Sequence, residues 1–289
     1  MDLSWIDRDR PVLIAGPTAS GKSALAMHIA ARHGGVIINA DALQVFGNWR
    51  LLTARPSLAD EAALPHALYG HVARDQIYST GHWLRDVAPL LAGPLRPIIV
   101  GGTGLNFAAL TQGLAQIPAV PAEIRERADD MSLAALLDAL DPATRNSLDV
   151  ANRARVQRAF EVATATGRPL RDWQSNTGPA LLPLDQAQGV VVNAPRDWLV
   201  GRIGQRFDMM IANGALDEVS RNLAGHDPVW PSSKAIGVPD LIRHLNGACT
   251  LAAAREGAII ATRQYAKRQR TWFRARMADW RAIDGTTLS

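Results

Sequence analysis

The sequence predicts an α/β fold: a parallel sheet covered by helices on both faces, with a helical insertion in the middle of the chain. Three observations predict it. Short apolar runs alternate with helical patterns through the first hundred residues. A stretch from about Leu114 to Gln188 has prolines at 118, 121, 142, 169, 179 and 183, helical patterns rich in Ala, Leu and Arg, and no buried strand. An apolar run, VVVNA at 190–194, then returns to the sheet. The expected layout is a core of residues 1–113 and 190–289 with an insertion at 114–189.

Taken in order, PVLIAG at 11–16 is a short apolar run ending in glycine, which reads as a strand buried on both faces. KSALAMHIAAR at 22–32 reads as a helix and GVIINA at 35–40 as a second strand. PIIV at 97–100, followed by Gly101 and Gly102, is a further strand. Beyond Trp198 the pattern is mostly helical to about Trp280, with loops near 226–231 and 237–239.

Composition narrows the function. The chain has 289 residues, 47% of them hydrophobic and 20% charged, enough for a stable core. Cys249 is the single cysteine, which excludes an internal disulfide and a zinc site built of several thiolates. The opening MDLSWIDRDR is too acidic for a secretory signal, and no apolar run reaches the roughly 20 residues of a membrane span. A cytoplasmic monomer with no membrane partner is expected. Formal net charge is only +4, but no acidic residue falls between Glu256 and Asp279. That interval holds Arg263, Lys267, Arg268, Arg270, Arg274 and Arg276, a footprint for a polyanion. Arg263, Lys267, Arg270 and Arg274 share a helix face, beside an apolar stripe of Ile259, Ala266, Phe273 and Met277.

The clearest chemistry lies at Gly16, Pro17, Thr18, Ala19, Ser20, Gly21, Lys22 and Ser23. These residues match G-x-x-x-x-G-K-[ST] between a strand and a helix. The glycines let the backbone wrap so that N–H groups face phosphate oxygens, and the following helix adds its positive end. Lys22 supplies a mobile charge and Ser23 a hydroxyl ligand for Mg²⁺. The core is therefore expected to be P-loop NTPase-like. The loop alone does not choose among ATP, GTP, another nucleotide or a pyrophosphate ester. Asp41, at the end of the second strand, emerges at the same sheet edge and suits a metal ligand or a general base, or else a helix N-cap. Thr103 in GGTG suits a hydrogen bond to a leaving phosphate oxygen, or a capped turn.

With these pieces together the chain resembles the tRNA dimethylallyltransferases (tRNA isopentenyltransferases). The resemblance rests on GPTASGKS at 16–23, NADALQVF at 39–46, GGTGL at 101–105, RVQRAFEV at 155–162, RIGQRFDMM at 202–210, KAIG at 234–237 and TRQYAKRQRTWFR at 262–274. It implies transfer of a dimethylallyl group from dimethylallyl pyrophosphate to N6 of the adenosine just 3′ of the tRNA anticodon, with release of pyrophosphate. It also implies roles. The loop, with Mg²⁺ as cofactor, would hold the donor's pyrophosphate, and Asp41 would take the N6 proton. Lys22, Thr103 and Arg206 would stabilise the leaving group. The tRNA would meet Asp41, Ala42, Leu43 and Gln44, with Gln44 gripping the purine edge bidentately. It would also meet Thr103, Arg125, the segment Ala154, Arg155, Val156, Gln157 and Arg158, then Lys234, Arg263, Lys267 and Arg270. Tyr265, Trp272 and Trp280 read as core or boundary aromatics, with base stacking the alternative.

The chain departs from the family pattern at Phe46, Arg55, the HALYG segment at 66–70, Asn106, Val238 and Pro239, and with a single cysteine the zinc-binding extension of some eukaryotic relatives is not expected. A kinase of the same fold, or an RNA-binding protein with a vestigial loop, are the competing readings. The first leaves the basic C-terminal block unexplained.

Overall fold

The computed structural model describes residues 3–288; Met1, Asp2 and Ser289, at the outer ends of the expected core, lie outside it. Its strands are β1 (Val12–Ala15), β2 (Val36–Asn39), β3 (His66–Ala67), β4 (Pro97–Gly101), β5 (Gln188–Asn193) and β6 (Arg281–Asp284). They form one sheet in the order β3-β2-β4-β1-β5-β6, with every neighbouring pair parallel. The α/β class expected from the alternating pattern is the observed one.

Alternate residues of each inner strand face opposite sides. On one side Leu13, Ile38 and Ile99 pack with Trp83 of α3 (Thr80–Leu91), Phe107 of α4 (Gly104–Gln112) and Phe273. On the other, Ile14, Ile37 and Ile98 pack with Leu25 and Ile29 of α1 (Lys22–His33). The inner strands are buried on both faces, so they read as plain apolar runs. The edge strands β3 and β6 escaped the sequence reading. β3 has only two residues, and β6 (RAID) is polar and largely exposed.

The helices α10 (Arg196–Ala212), α11 (Ala215–Leu223), α12 (Val238–Leu245) and α13 (Leu251–Arg276) build a third apolar cluster around Ile203, Phe207, Val219, Leu241 and Ala258. The short α2 (Leu58–Ala63) begins with a capping box between Ser57 and Asp60.

Two compact units divide the chain. One runs to Thr111 and resumes at Leu181; the other is Gln112–Ala180. The second unit closes before the expected limit at 189, because Leu182 and Ala187 are buried in the core of the sheet. It holds α5 (Ala122–Asp130), α6 (Leu133–Asp138), α7 (Pro142–Ser147), α8 (Arg153–Thr166) and α9 (Leu170–Gln174) around Ala128, Leu136, Val156, Phe160 and Leu170.

In the first unit, the carboxyl ends of β1, β2 and β4 lie side by side, the edge where open α/β sheets bind ligands. Close backbone approach there depends on Gly101. A Cβ on it would collide with the carbonyl group of Ala40, next to Asp41. Gly101→Ala is therefore expected to destabilise the protein by about 1–3 kcal/mol. A thermal melt within about 1 °C of the wild type would contradict this reading, since each kcal/mol is worth about 2–4 °C at this size.

Candidate functional site

Three segments converge at that edge. The first is the loop after β1. Ala19 (φ 64°) and Gly21 (φ 92°) are left-handed on either side of Ser20, the alternation that turns successive N–H groups to one side. A Cβ on Gly16 would stand 2.8 Å from Ser20 Oγ, and that buried oxygen has no hydrogen-bond partner. At Gly21, the N-cap of α1, no side chain caps the helix, so its first N–H groups remain available to an anion. Lys22 Nζ rests on Pro17 O at 3.3 Å. Burial lowers its pKa to about 8, with Asp41 opposing the shift and Arg206 adding to it. Ser23 lies on the exposed first turn.

The second segment follows β2. Asn39 is fully buried and organises the turn: its Oδ1 accepts from Asp41 N–H at 2.8 Å, and its Nδ2 donates to Asp41 O and Leu68 O, each at 3.0 Å. Asp41 Oδ1 accepts from Leu43 N–H at 2.9 Å, an Asx turn that holds the carboxylate at the sheet edge. Asp41 lies in the loop after β2 and starts no helix, which removes the N-cap alternative. The third segment follows β4. Thr103 N–H donates to Ala40 O, and Thr103 Oγ1 accepts from Ala42 N–H at 2.9 Å.

Arg206 reaches this edge from α10, where its Nη1 donates to Thr18 Oγ1 at 3.2 Å. The sequence alternative, an ion pair with Asp208, is not realised, because Asp208 pairs with Arg255 at 2.5 and 2.7 Å. Burial lowers the pKa of Arg206 while Asp41 opposes the shift. Beside Thr18, Asp41 and Arg206 opens a cavity of about 70 Å³. Its remaining wall is mostly apolar: Leu43, Leu52, Ile203, Phe207, Met210 and Ile236. Tyr265 also lines it, with its hydroxyl pKa pushed up by burial and then by Asp41.

Two residues the sequence reading missed hold this site together. Gln269 is buried on α13; its Oε1 accepts from Thr18 N–H and its Nε2 donates to Gly102 O, both at 2.9 Å. A polar residue lodged between Ala266 and Phe273 of the apolar stripe was the available signal. Glu218 of α11 accepts from the N–H groups of Arg50, Leu51 and Leu52 at 2.7–3.1 Å, which fixes the turn carrying Leu52 and Thr53 into the cavity. Nothing in the sequence pairs Glu218 with that turn. Each buried donor left unsatisfied costs about 1–3 kcal/mol, so Glu218→Ala is expected to lower stability by about 3 kcal/mol or more. Glu218→Gln, which keeps an acceptor oxygen, should lose less. Equal melting temperatures for the two variants would overturn this account.

Other expected contacts are placed differently. Gln44 Nε2 donates to Thr53 O and Ala54 O at 2.8 and 3.0 Å, so its amide hydrogens are committed and a bidentate grip on a purine is not available in this arrangement. Ala42 is exposed and Leu43 half-buried. In the second unit, Val156 is fully buried, which removes its side chain from any RNA surface. Gln157 donates to Asp129 Oδ1 and Glu161 Oε1, and Arg158 pairs with Glu161 at 3.6 Å. Ala154 and Arg155 are exposed on α8, and Arg125 lies on α5. In the first unit Lys234 is exposed. Arg263, Lys267, Arg270 and Arg274 line a groove of about 990 Å³ together with Arg196 and the apolar Ile260. Tyr265 faces the small cavity, Trp280 is buried against Phe107, and the Trp272 ring packs where a Gly104 side chain would stand.

The departures from the family pattern have structural places. Asn106 is buried and accepts from Thr80 Oγ1 at 2.9 Å. Arg55 donates to Phe46 O and Gly47 O from a nearly buried side chain. Val238 is core, and Pro239 sits in the first turn of α12.

For Mg²⁺, no group of three or more His, Cys, Asp or Glu placed to hold a metal ion occurs among the described residues. A lone serine hydroxyl beside a phosphate cradle fits an ion that keeps its waters and is bound largely through substrate phosphates. The donor set therefore suits Mg²⁺ carried on a pyrophosphate. Among the described residues no helix is long and apolar enough to cross a membrane.

Comparison with known proteins gives a consistent result. Residues 44–276 match the family model described as IPP transferase. A tRNA dimethylallyltransferase of Ruegeria sp. is 60% identical over 283 residues, covering 98% of both chains. That of Dinoroseobacter shibae is 60% identical over 288 residues, covering 98% of this chain and 97% of its own. Among solved structures, a tRNA isopentenylpyrophosphate transferase of Staphylococcus epidermidis superimposes with a TM-score of 0.66 at 26% identity, covering 97% of this chain and 95% of that one. A eukaryotic dimethylallyltransferase acting on tRNA shares the fold, with a TM-score of 0.82 at 21% identity, covering 95% of this chain and 73% of that one.

Proposed function

The chain belongs to the IPP transferase family and transfers a dimethylallyl group to tRNA, and from that premise we propose how its residues perform the transfer. The observation that carries the proposal is the small apolar cavity opening directly beside Thr18, Asp41 and Arg206. A branched five-carbon chain on a pyrophosphate needs an oily pocket abutting an anion cradle.

The pyrophosphate of dimethylallyl pyrophosphate lies in the loop Gly16–Ser23, on the uncapped end of α1, with Lys22 and Arg206 as its cationic partners. Its prenyl tail enters the cavity against Leu52, Ile203 and Phe207. The exocyclic N6 of the target adenosine attacks the allylic carbon while the carbon–oxygen bond to pyrophosphate breaks. Asp41 takes one N6 proton, so the new carbon–nitrogen bond leaves a neutral amine. The departing pyrophosphate gains negative charge, and the fixed cations and the Thr103 hydroxyl are aimed at that charge. Ser23 and the pyrophosphate oxygens would hold Mg²⁺, which would supply further charge neutralisation. Gln44 contributes to the adenosine through Oε1 as a single acceptor.

The cationic groove of α13 and the exposed Arg155 would bind tRNA phosphates, which makes affinity strongly salt-dependent. The adenosine reaches Asp41 by leaving the anticodon stack. A cytoplasmic monomer acting on the adenosine 3′ to the anticodon completes the reading.

The test incubates the protein with Mg²⁺, dimethylallyl pyrophosphate and unmodified tRNA, and in parallel with Mg²⁺ and ATP, then digests the RNA with ribonuclease T1 and maps the modified fragment by tandem mass spectrometry. A prenylated adenosine at that position supports the reading. Hydrolysis of ATP without prenyl product would overturn it in favour of a kinase.

A further inference from the structure

The side chain of Gln269 joins two chain segments at the point where each leaves the sheet. Thr18 follows β1 and Gly102 follows β4, and these strands are neighbours. The orientation of the amide is fixed by chemistry: an N–H can be met only by the carbonyl oxygen, and a carbonyl only by the NH₂ group. Thr18 in turn accepts from Arg206 through Oγ1. One continuous set of bonds therefore runs Gly102 O, Gln269, Thr18, Arg206. Gly102 precedes Thr103, and a Cβ on Gly102 would meet Asp41 Oδ2 at 3.2 Å.

We propose that Gln269 is a positioning residue that sets the spacing between the mouth of the phosphate loop and Gly102–Thr103, and so the fit of the cradle to pyrophosphate. The proposal rests on the reading that the loop holds the donor's pyrophosphate. Its physical basis is twofold. The N–H of Thr18 is already paired with Gln269 and so holds the loop in shape instead of greeting the anion. The amide is also buried, so breaking the bridge strands a donor and an acceptor away from water, and the loop must shift to recover them. Thr18 and Arg206 would move with it.

The test uses the full-length protein with Gln269→Ala and Gln269→Glu, each checked for a cooperative melt. Inorganic pyrophosphate with Mg²⁺ is titrated calorimetrically, and steady-state kinetics are run against each substrate. For Gln269→Ala, pyrophosphate affinity should fall and KM for the donor rise by about tenfold, with KM for tRNA changed by less than about twofold. A purely structural role would lower the melting temperature without that split.

The carboxyl group introduced by Gln269→Glu is nearly isosteric with the amide. When protonated it can accept from Thr18 N–H and donate to Gly102 O; when ionised it opposes the Gly102 carbonyl. Asp41 and Tyr265 face the same spot, with Arg206 behind Thr18. The activity of Gln269→Glu relative to wild type should therefore fall as pH rises from about 5.5 to 8. A flat ratio, or a folded Gln269→Ala protein that binds pyrophosphate within about twofold of wild type, overturns the proposal. If the wild type itself does not bind pyrophosphate, the reading of the loop fails first and the proposal falls with it.

Discussion

Lys22→Ala is expected to lower kcat/KM for prenyl transfer by about 10²–10³-fold, the usual cost of removing one preorganised group that faces developing negative charge. Lys22 lies beside both Asp41 and Arg206, close enough for their charges to act on it. Its ammonium is also poorly solvated, so water does not replace it well once it is gone. The same burial gives the prediction a pH signature. The free protein's Lys22 has its pKa lowered to about 8, so it begins to lose its charge as pH rises through that value. An anion binds the charged form, so the affinity contributed by Lys22 is complete below pH 8. It should decline above that, by up to tenfold per pH unit. The measurement is the ratio of wild-type to Lys22→Ala pyrophosphate affinity from pH 6.5 to 9.5, which cancels the ligand's own titration. A ratio that stays constant would show that Lys22 does not meet the anion.

Asp41→Asn is expected to reduce kcat by about 10²–10⁴-fold while leaving pyrophosphate binding nearly intact. Asparagine keeps the size of the side chain and an oxygen for Leu43 N–H, so the turn set by Asn39 should survive. What it loses is the ability to take the N6 proton. A single-turnover experiment with saturating tRNA and donor isolates that step. A rate within about threefold of wild type would assign the proton to another acceptor. A matching loss in pyrophosphate affinity would instead make Asp41 a binding group.

The parts of this site legible in the sequence are those whose chemistry is contiguous. The loop from Gly16 to Ser23 carries its strand, turn glycines and lysine within one short segment, so local rules suffice. Asp41 and Thr103 were legible because parallel strands deliver their carboxyl ends to one edge. Arg206 was placed by resemblance, and its bond to Thr18 spans most of the chain. Glu218 had no local signature, since it is defined by what it meets far away in sequence, and Gln269 had only its place as a polar residue within the apolar stripe of α13. The same holds for the apolar cavity, whose walls come from the loops after β2 and before α12 and from α10 and α13. The burial of the Val156 side chain was not legible, because a segment shared with a family says nothing about which of its side chains point inward.

Where the chain leaves the sheet-bearing unit and returns to it, Leu182 N–H donates to Leu110 O at 3.1 Å. Those two residues bracket the whole of Gln112–Ala180. In polymer terms the second unit is a closed loop whose ends are already pinned by the fold that carries it. Closure entropy grows only logarithmically with contour length, so doubling such a loop costs the host about 0.6 kcal/mol. The length and content of this segment are therefore nearly free variables for the stability of the sheet. As far as the sheet's stability is concerned, the segment can be lengthened or shortened, with the constraint on the fold concentrated in the few residues at the seam.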